Sequence, residues 1–352
     1  MSEQHSYHTK ILPVPDRTPR PLWSVMIPTY NCANYLRETL ASVLAQDPGP
    51  EVMQIQVVDD HSTKDDPEAV VKELGGSRVE FYRQPENVGY IKNFDTCLQR
   101  SRGQLIHLLH GDDIVLKGFY QNLQRVFEQN LEIGAAFCRH IYMDEQGHWQ
   151  SISKLEQSES GVLNNWLEEI VVNCPMQVAS MVVKRDVYEK LGGFDQRFVC
   201  CCEDWEMWAR IAVHYAVGYE VEPLAAYRVM RAGSLTKNSV RSGKFAQDMR
   251  KAHKIINSYV STHLSQDLAN KLCNKSRESF ASGILTLANQ MLDIGDTTAT
   301  VIQLREAFNC SQSFKVTKQI VQAILRLIKY QIRRTFSTIV PFQLKLSKTI
   351  EL

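Results

Sequence analysis

Between Trp23 and about Leu131 short apolar runs alternate with amphipathic segments, and no other feature restricts the fold as strongly. Trp23–Ile27, Val52–Val58, Val79–Tyr82 and Leu105–Leu109 read as strands. Asn34–Ala45 reads as a helix with Leu36, Leu40, Val43 and Leu44 on one face, and Ala69–Leu74 and Tyr90–Ser101 as two more. Strand–helix–strand repetition predicts an α/β protein with a mostly parallel sheet flanked by helices. Ligands of such sheets bind outside the carboxyl ends of the strands. Three strands here end in polar chemistry: Pro28-Thr29-Tyr30-Asn31, Asp59-Asp60 and Asp112-Asp113. The topology is expected to bring these ends to one edge.

Farther on the pattern is less regular. Ala135–Tyr142 and Gln177–Val183 read as strands, Leu163–Val171 as a helix, and Glu203–Val213 as a helix with Trp205, Trp208 and Ile211 on its apolar face. Beyond Ser239 the spacing of Ala, Leu and Ile is helical. The expected organisation is a flexible leader over residues 1–22, carrying Pro13, Pro15, Pro19 and Pro21, then an α/β domain over 23–238 with halves 23–131 and 132–238. A helical C-terminal region over 239–352 follows.

Lys and Arg number 40 against 39 Asp and Glu, so no global field argues for nucleic acid as a partner. The nine cysteines are odd in number and show no CxxC spacing, which suits reduced thiols in a cytosolic protein. The run Cys200-Cys201-Cys202 cannot wrap its thiols around one zinc without strain. No signal peptide is visible, and no stretch approaches the roughly 18 apolar residues a spanning helix needs. The expected location is the cytoplasm, with peripheral attachment at the inner face of the membrane as one option.

Several segments then occur in a telling order. They are Ser24-Val-Met-Ile-Pro-Thr-Tyr-Asn31, Val57-Val-Asp-Asp-His-Ser62, Asn87-Val-Gly89 with Asn93, and Leu109-His-Gly-Asp-Asp113. Leu191-Gly-Gly-Phe-Asp195, Glu203-Asp204, Tyr227-Arg228 and Ser234-Leu-Thr236 follow. Together they resemble the family 2 glycosyltransferases of the Rossmann-like GT-A fold, over roughly residues 23–238. The resemblance implies an inverting transferase that takes a sugar from a nucleotide diphosphate, with a UDP-sugar as the expected donor. The acceptor would be a hydroxyl of a glycan, lipid-linked or protein-linked molecule in the building of bacterial surface glycoconjugates. It implies a nucleotide-binding half over 23–131 and an acceptor half over 132–238.

Site roles follow from that resemblance and from the chemistry of each residue. Asp112 and Asp113 are assigned to a divalent cation, Mn2+ or Mg2+, since hard cations favour carboxylate oxygens and neutralise a leaving diphosphate. His110 stands where the family's first Asp usually sits and is left outside the metal set. Asp60 is expected to accept a hydrogen bond from the nucleobase. Pro28, with Thr29 beside it, would offer its carbonyl and Tyr30 a flat face to base and ribose. Lys92 is a candidate nucleotide contact, and a solvated surface lysine is the competing reading. Asp204 is the expected general base, and partial desolvation beside Trp205 and Trp208 would raise its basicity. Glu203 and Trp205 are placed on the acceptor side. Residues 227–236 are expected to form a loop over the diphosphate, with Arg231 replacing the family's usual His as a phosphate contact.

The tail carries Lys315, Lys318, Arg326, Lys329, Arg333, Arg334, Lys345 and Lys348 against Glu351 alone. Ile320, Ile324, Leu325, Leu327, Ile328 and Ile332 are interleaved at largely helical spacing. Residues 314–348 suit a helix on an anionic membrane surface or one packed on the protein with a basic outer face. Two rival functions were weighed. A sugar nucleotidyltransferase is expected to carry a Gly-rich loop after the first strand, and Pro28-Thr-Tyr-Asn-Cys-Ala33 has no glycine. A non-catalytic relative that only binds nucleotide sugars is expected to lack Asp204 or the acidic pair, and both are present.

Overall fold

The structure, a computed structural model, describes residues 7–229 and 235–349. Its first half runs β1 (Trp23–Thr29), α1 (Ala33–Leu44), β2 (Met53–Asp59), α2 (Pro67–Gly75), β3 (Glu80–Arg83), α3 (Tyr90–Arg100), β4 (Leu105–Leu108), β5 (Ile114–Val115) and α4 (Phe119–Gln129). The second half adds β6 (Ile133–Met143), β7 (Trp149–Ile152), β8 (Gly161–Val162), α5 (Trp166–Val172), β9 (Met181–Lys184), α6 (Arg185–Leu191), α7 (Glu203–His214) and β10 (Ala216–Arg228). Five helices close the chain: α8 (Leu235–Val240), α9 (Lys244–Val260), α10 (Gln266–Asp293), α11 (Thr297–Cys310) and α12 (Phe314–Thr349).

One mostly parallel sheet in the order β3-β2-β1-β4-β9-β6-β10-β5 organises the molecule. β3, β2, β1 and β4 are parallel throughout, as are β6 and β10. β9 lies antiparallel between β4 and β6 and joins the two halves. Every residue of β1 and β2 is buried, because helices cover both faces. Alternation divides β1 between two cores. Val25 and Ile27 pack with Leu36, Leu40 and Phe119 on one face, while Met26 packs with Phe94, Trp205 and Trp208 on the other. α2 begins where a helix should, with Asp66 accepting from the Ala69 amide at 3.1 Å and Pro67 in the first turn.

The segments on either side of the α/β domain pack against it. Before β1, Ile11 is 1% exposed in the main core, and His8 bridges to Asp195. Burying one such isoleucine is worth about 1.5–3 kcal/mol. The helical region after residue 239 contributes to the same core. Ala252, Ile255 and Ile256 of α9 and Leu272 and Cys273 of α10 share a core with Trp166, Trp205 and Trp208. A second small core joins α10, α11 and α12 through Leu285, Leu304, Val316 and Ile320. No described helix is long and apolar enough to cross a membrane.

Candidate active site

The main chain ties the ends of β1, β2 and β4 together. The Asp60 amide donates to the Thr29 carbonyl at 2.9 Å, and the Gly111 amide donates to the Pro28 carbonyl at 3.0 Å. A Cβ on Gly111 would stand 3.1 Å from the Thr29 side chain and 3.2 Å from the Pro28 oxygen, so a side chain there would press on the end of β1. The three polar strand ends therefore converge. The cost falls on the expected roles of Pro28 and Thr29. Both are buried, and the Pro28 carbonyl is taken by Gly111. Tyr30, 44% exposed, is the member of that motif with its ring at the surface.

Asp60 carries a load the sequence did not reveal. Its two carboxylate oxygens accept the Val88 and Gly89 amides at 2.8 and 3.1 Å, and its carbonyl accepts from Asn87. This side chain thus fixes the loop entering α3, and a nucleobase contact would have to be made in addition. Burial raises its pKa while the two amides pull the other way. Asp59 is fully buried and holds Ser62 and Arg83. Lys92 sits exposed on α3. Arg231 lies outside the described residues. Of the range 227–236 expected as a loop, Tyr227 and Arg228 finish β10, Leu235 opens α8, and residues 230–234 lie outside the described residues.

Past β4, His110, Asp112 and Asp113 bring ligand atoms within 4.8 Å of one another. His110, left out on sequence grounds, belongs to this cluster: its Nδ1 is 3.9 Å from Asp113 Oδ2, and its ring stacks on Phe94 at 5.0 Å. Asp113 is 1% exposed, and its Oδ1 accepts the Arg228 amide at 2.9 Å. The Arg228 guanidinium donates to the carbonyls of Asp112 and Glu145 and to the Glu38 carboxylate. The end of β10 therefore clamps the acidic turn. Two carboxylates offer the oxygen donors that hard divalent cations take, and the imidazole adds one nitrogen donor.

Asp204 and Glu203 open α7. Acidic residues are favoured in this first turn by the helix dipole. Glu203 is buried and accepts from the Tyr90 hydroxyl at 3.1 Å. Burial and the neighbouring Asp204 charge hold its carboxyl far above the usual range. Asp204, half-buried, is also raised by desolvation, less far, with its own and the Trp205 amide opposing. Asp204 is therefore the member of the pair that ionises first.

The Leu191-Gly-Gly-Phe-Asp195 motif places this helix. Arg210 of α7 donates to the carbonyls of Leu191 and Gly193, and a Cβ on Gly193 would lie 2.2 Å from Asp95 Oδ1. Trp205 does not face an acceptor. It is 2% exposed, its indole N–H donates to the Ile170 carbonyl at 2.6 Å, and its ring meets His253 and Phe280, each at 4.9 Å.

Tyr227 relates the two acidic groups. Burial is the largest influence raising its pKa, followed by the charges of Asp113, Asp112 and Asp204. One hydroxyl at the end of β10 thus senses all three carboxylates. Its motif, Tyr227-Arg228, was visible in the sequence without a role.

Comparison with known proteins decides the family. The profile described as Glycosyl transferase family 2 matches residues 24–192. An uncharacterized protein of Mycobacterium tuberculosis, MT1568, is 30% identical over 229 residues, covering 62% of this chain and 70% of its own length. The chain belongs to glycosyltransferase family 2. Among solved structures, S. aureus TarS in complex with UDP-GlcNAc is 15% identical with a TM-score of 0.59, over 88% of this chain and 81% of that one. The mannosyltransferase PcManGT from Pyrobaculum calidifontis in complex with GDP-Man and Mn2+ is 18% identical with a TM-score of 0.52, over 92% and 90%. At these identities the likeness is one of fold, and this family 2 enzyme has the GT-A architecture.

Proposed function

We propose that this glycosyltransferase inverts the anomeric centre of a nucleotide-diphosphate sugar, a UDP-hexose or UDP-N-acetylhexosamine, while transferring it to an acceptor hydroxyl. The observation that carries the reading is that the charges of Asp113, Asp112 and Asp204 all reach the Tyr227 hydroxyl at the end of β10. Carboxylates of the acidic turn and of α7 that share one neighbour suit a displacement in which one acts on the leaving group and the other on the acceptor. Asp204 would accept the acceptor's proton as its oxygen bonds the anomeric carbon and the bond to the diphosphate breaks. Burial, which raises the Asp204 pKa, makes it a stronger base. Asp112, with Asp113 and His110, would hold Mn2+ or Mg2+, which neutralises charge on the diphosphate when bound. UDP-GlcNAc in the TarS complex supports the donor class, and Mn2+ in the mannosyltransferase complex supports the metal.

A surface glycan or lipid-linked acceptor is the proposed recipient, and α12 supports it. One face of α12 buries Val316, Ile320, Ala323 and Leu327. The other leaves Val321, Ile324, Leu325, Ile328 and Ile332 exposed among basic residues. An apolar stripe framed by cations suits peripheral binding to an anionic membrane. The direct test of the function is turnover of UDP- and GDP-sugars with Mn2+, with and without chelator. Metal-dependent release of nucleotide diphosphate is expected. Absence of both binding and turnover across the donors would contradict the proposal.

A further inference from the structure

The helical region contains a cavity whose lining includes neither the acidic turn nor Asp204. It occupies about 160 Å³ between α9, α10 and α11, and its lining includes Arg250, His253, Lys254, Asn257, Arg277 and Asn309. A second space of about 470 Å³ adjoins it, sharing Arg277 and Asn309. The charge of the smaller cavity is one-sided. Arg250 is paired with Glu306, whereas Lys254 and Arg277 form no salt bridge among the described residues. Arg277 donates to the Asn274 carboxamide instead. His253 is 7% exposed, and its Nε2 has no hydrogen-bond partner among the described residues. Burial, with Arg277 nearby, lowers its pKa to about 4, so the ring is neutral near pH 7.

A buried ring nitrogen without a partner costs free energy unless a ligand or water answers it. Two uncompensated cations call for an oxyanion of about two charges, which a phosphate monoester carries. The carboxamides of Asn257 and Asn309 can both donate and accept, as sugar and polyol hydroxyls require. We propose that this cavity binds a phosphate ester of a sugar or polyol, separately from the donor site. Lys254 and Arg277 take the phosphate, while His253, Asn257 and Asn309 meet the hydroxyls. The His253 ring stands edge-on to Trp205 at 4.9 Å, and Trp205 follows Asp204 in α7. An occupant therefore sits one aromatic contact away from the catalytic helix.

Titration calorimetry of the full chain with glycerol 3-phosphate tests the site, with inorganic phosphate and glycerol as paired probes. The ester is expected to bind saturably and at least roughly tenfold more tightly than inorganic phosphate, with no binding of glycerol. Arg277→Ala and Lys254→Ala replace exposed side chains and should each weaken the ester about tenfold while leaving UDP binding unchanged. Trp205 emission should respond to the ester in the parent chain. Equal binding of ester and inorganic phosphate, binding indifferent to both substitutions, or no binding would overturn the proposal. None of these outcomes bears on the donor reading, since UDP is measured independently.

Discussion

Asp204 and Glu203 are adjacent in sequence, yet their surroundings divide their tasks. Glu203 lies buried under Tyr90, and burial raises its carboxyl further than that of Asp204, which favours Asp204 as the ionised member. Asp204→Asn preserves shape and removes the proposed base, so transfer should fall by about 10²–10⁴-fold while UDP affinity stays within about twofold. Steady-state kinetics and titration of the same sample check this, and undiminished transfer would remove Asp204 from the mechanism. At this scale the sequence was informative about residue types and weak about partners. Asp60 was legible as a strand-end acid, but its two bonds to loop amides depend on how residues 87–89 fold back. His110 broke the familiar acidic pattern and was set aside, although its ring lies within the cluster. Trp205 was legible as part of an apolar helix face with Trp208 and Ile211, and all three are buried.

Elements depend on contacts far apart in sequence. The segment preceding β1 is held by His8, whose Nε2 lies 3.5 Å from Asp195 and 3.6 Å from Glu206. Burial alone would lower the His8 pKa, but those two carboxylates outweigh it and raise it. A folded value above the unfolded one means the contribution is fully present below about pH 6.5 and is lost as pH rises through the raised pKa. His8→Ala should therefore cost about 1–3 kcal/mol at pH 6 and clearly less at pH 9, read from denaturant midpoints at both pH values. An equal cost at both would deny the ionic latch. Nothing in a proline-rich leader announces this docking, because the partners of His8, Asp195 and Glu206, lie far along the chain. In α12 the interleaved Ile and Leu were legible, but not which of them the neighbouring helices cover. Ile324→Asp with Ile328→Asp should leave the melting temperature within about 2 °C and abolish flotation with anionic vesicles. Retained flotation would argue against α12 as the membrane contact.

The whole molecule is a parallel nucleotide-side sheet extended by β9, β6 and β10, with α9 and α10 packed into the same core. The first half was readable because its local periodicity and its fold agree: each apolar run became a strand and each amphipathic run a helix. The second half was harder, since β9 inserts antiparallel between strands made earlier and β10 pairs with β6 across more than 70 intervening residues. One consequence is that the acidic turn after β4 is clamped by Arg228, which arrives last in the sheet. The central claim is that this turn holds a metal-bound nucleotide diphosphate. It is tested most directly by titrating UDP into the parent chain and Asp112→Asn, with Mn2+ and with excess chelator. UDP should bind the parent with Mn2+ and lose at least about tenfold in affinity on chelation or in Asp112→Asn. UDP affinity unchanged by both would contradict the account.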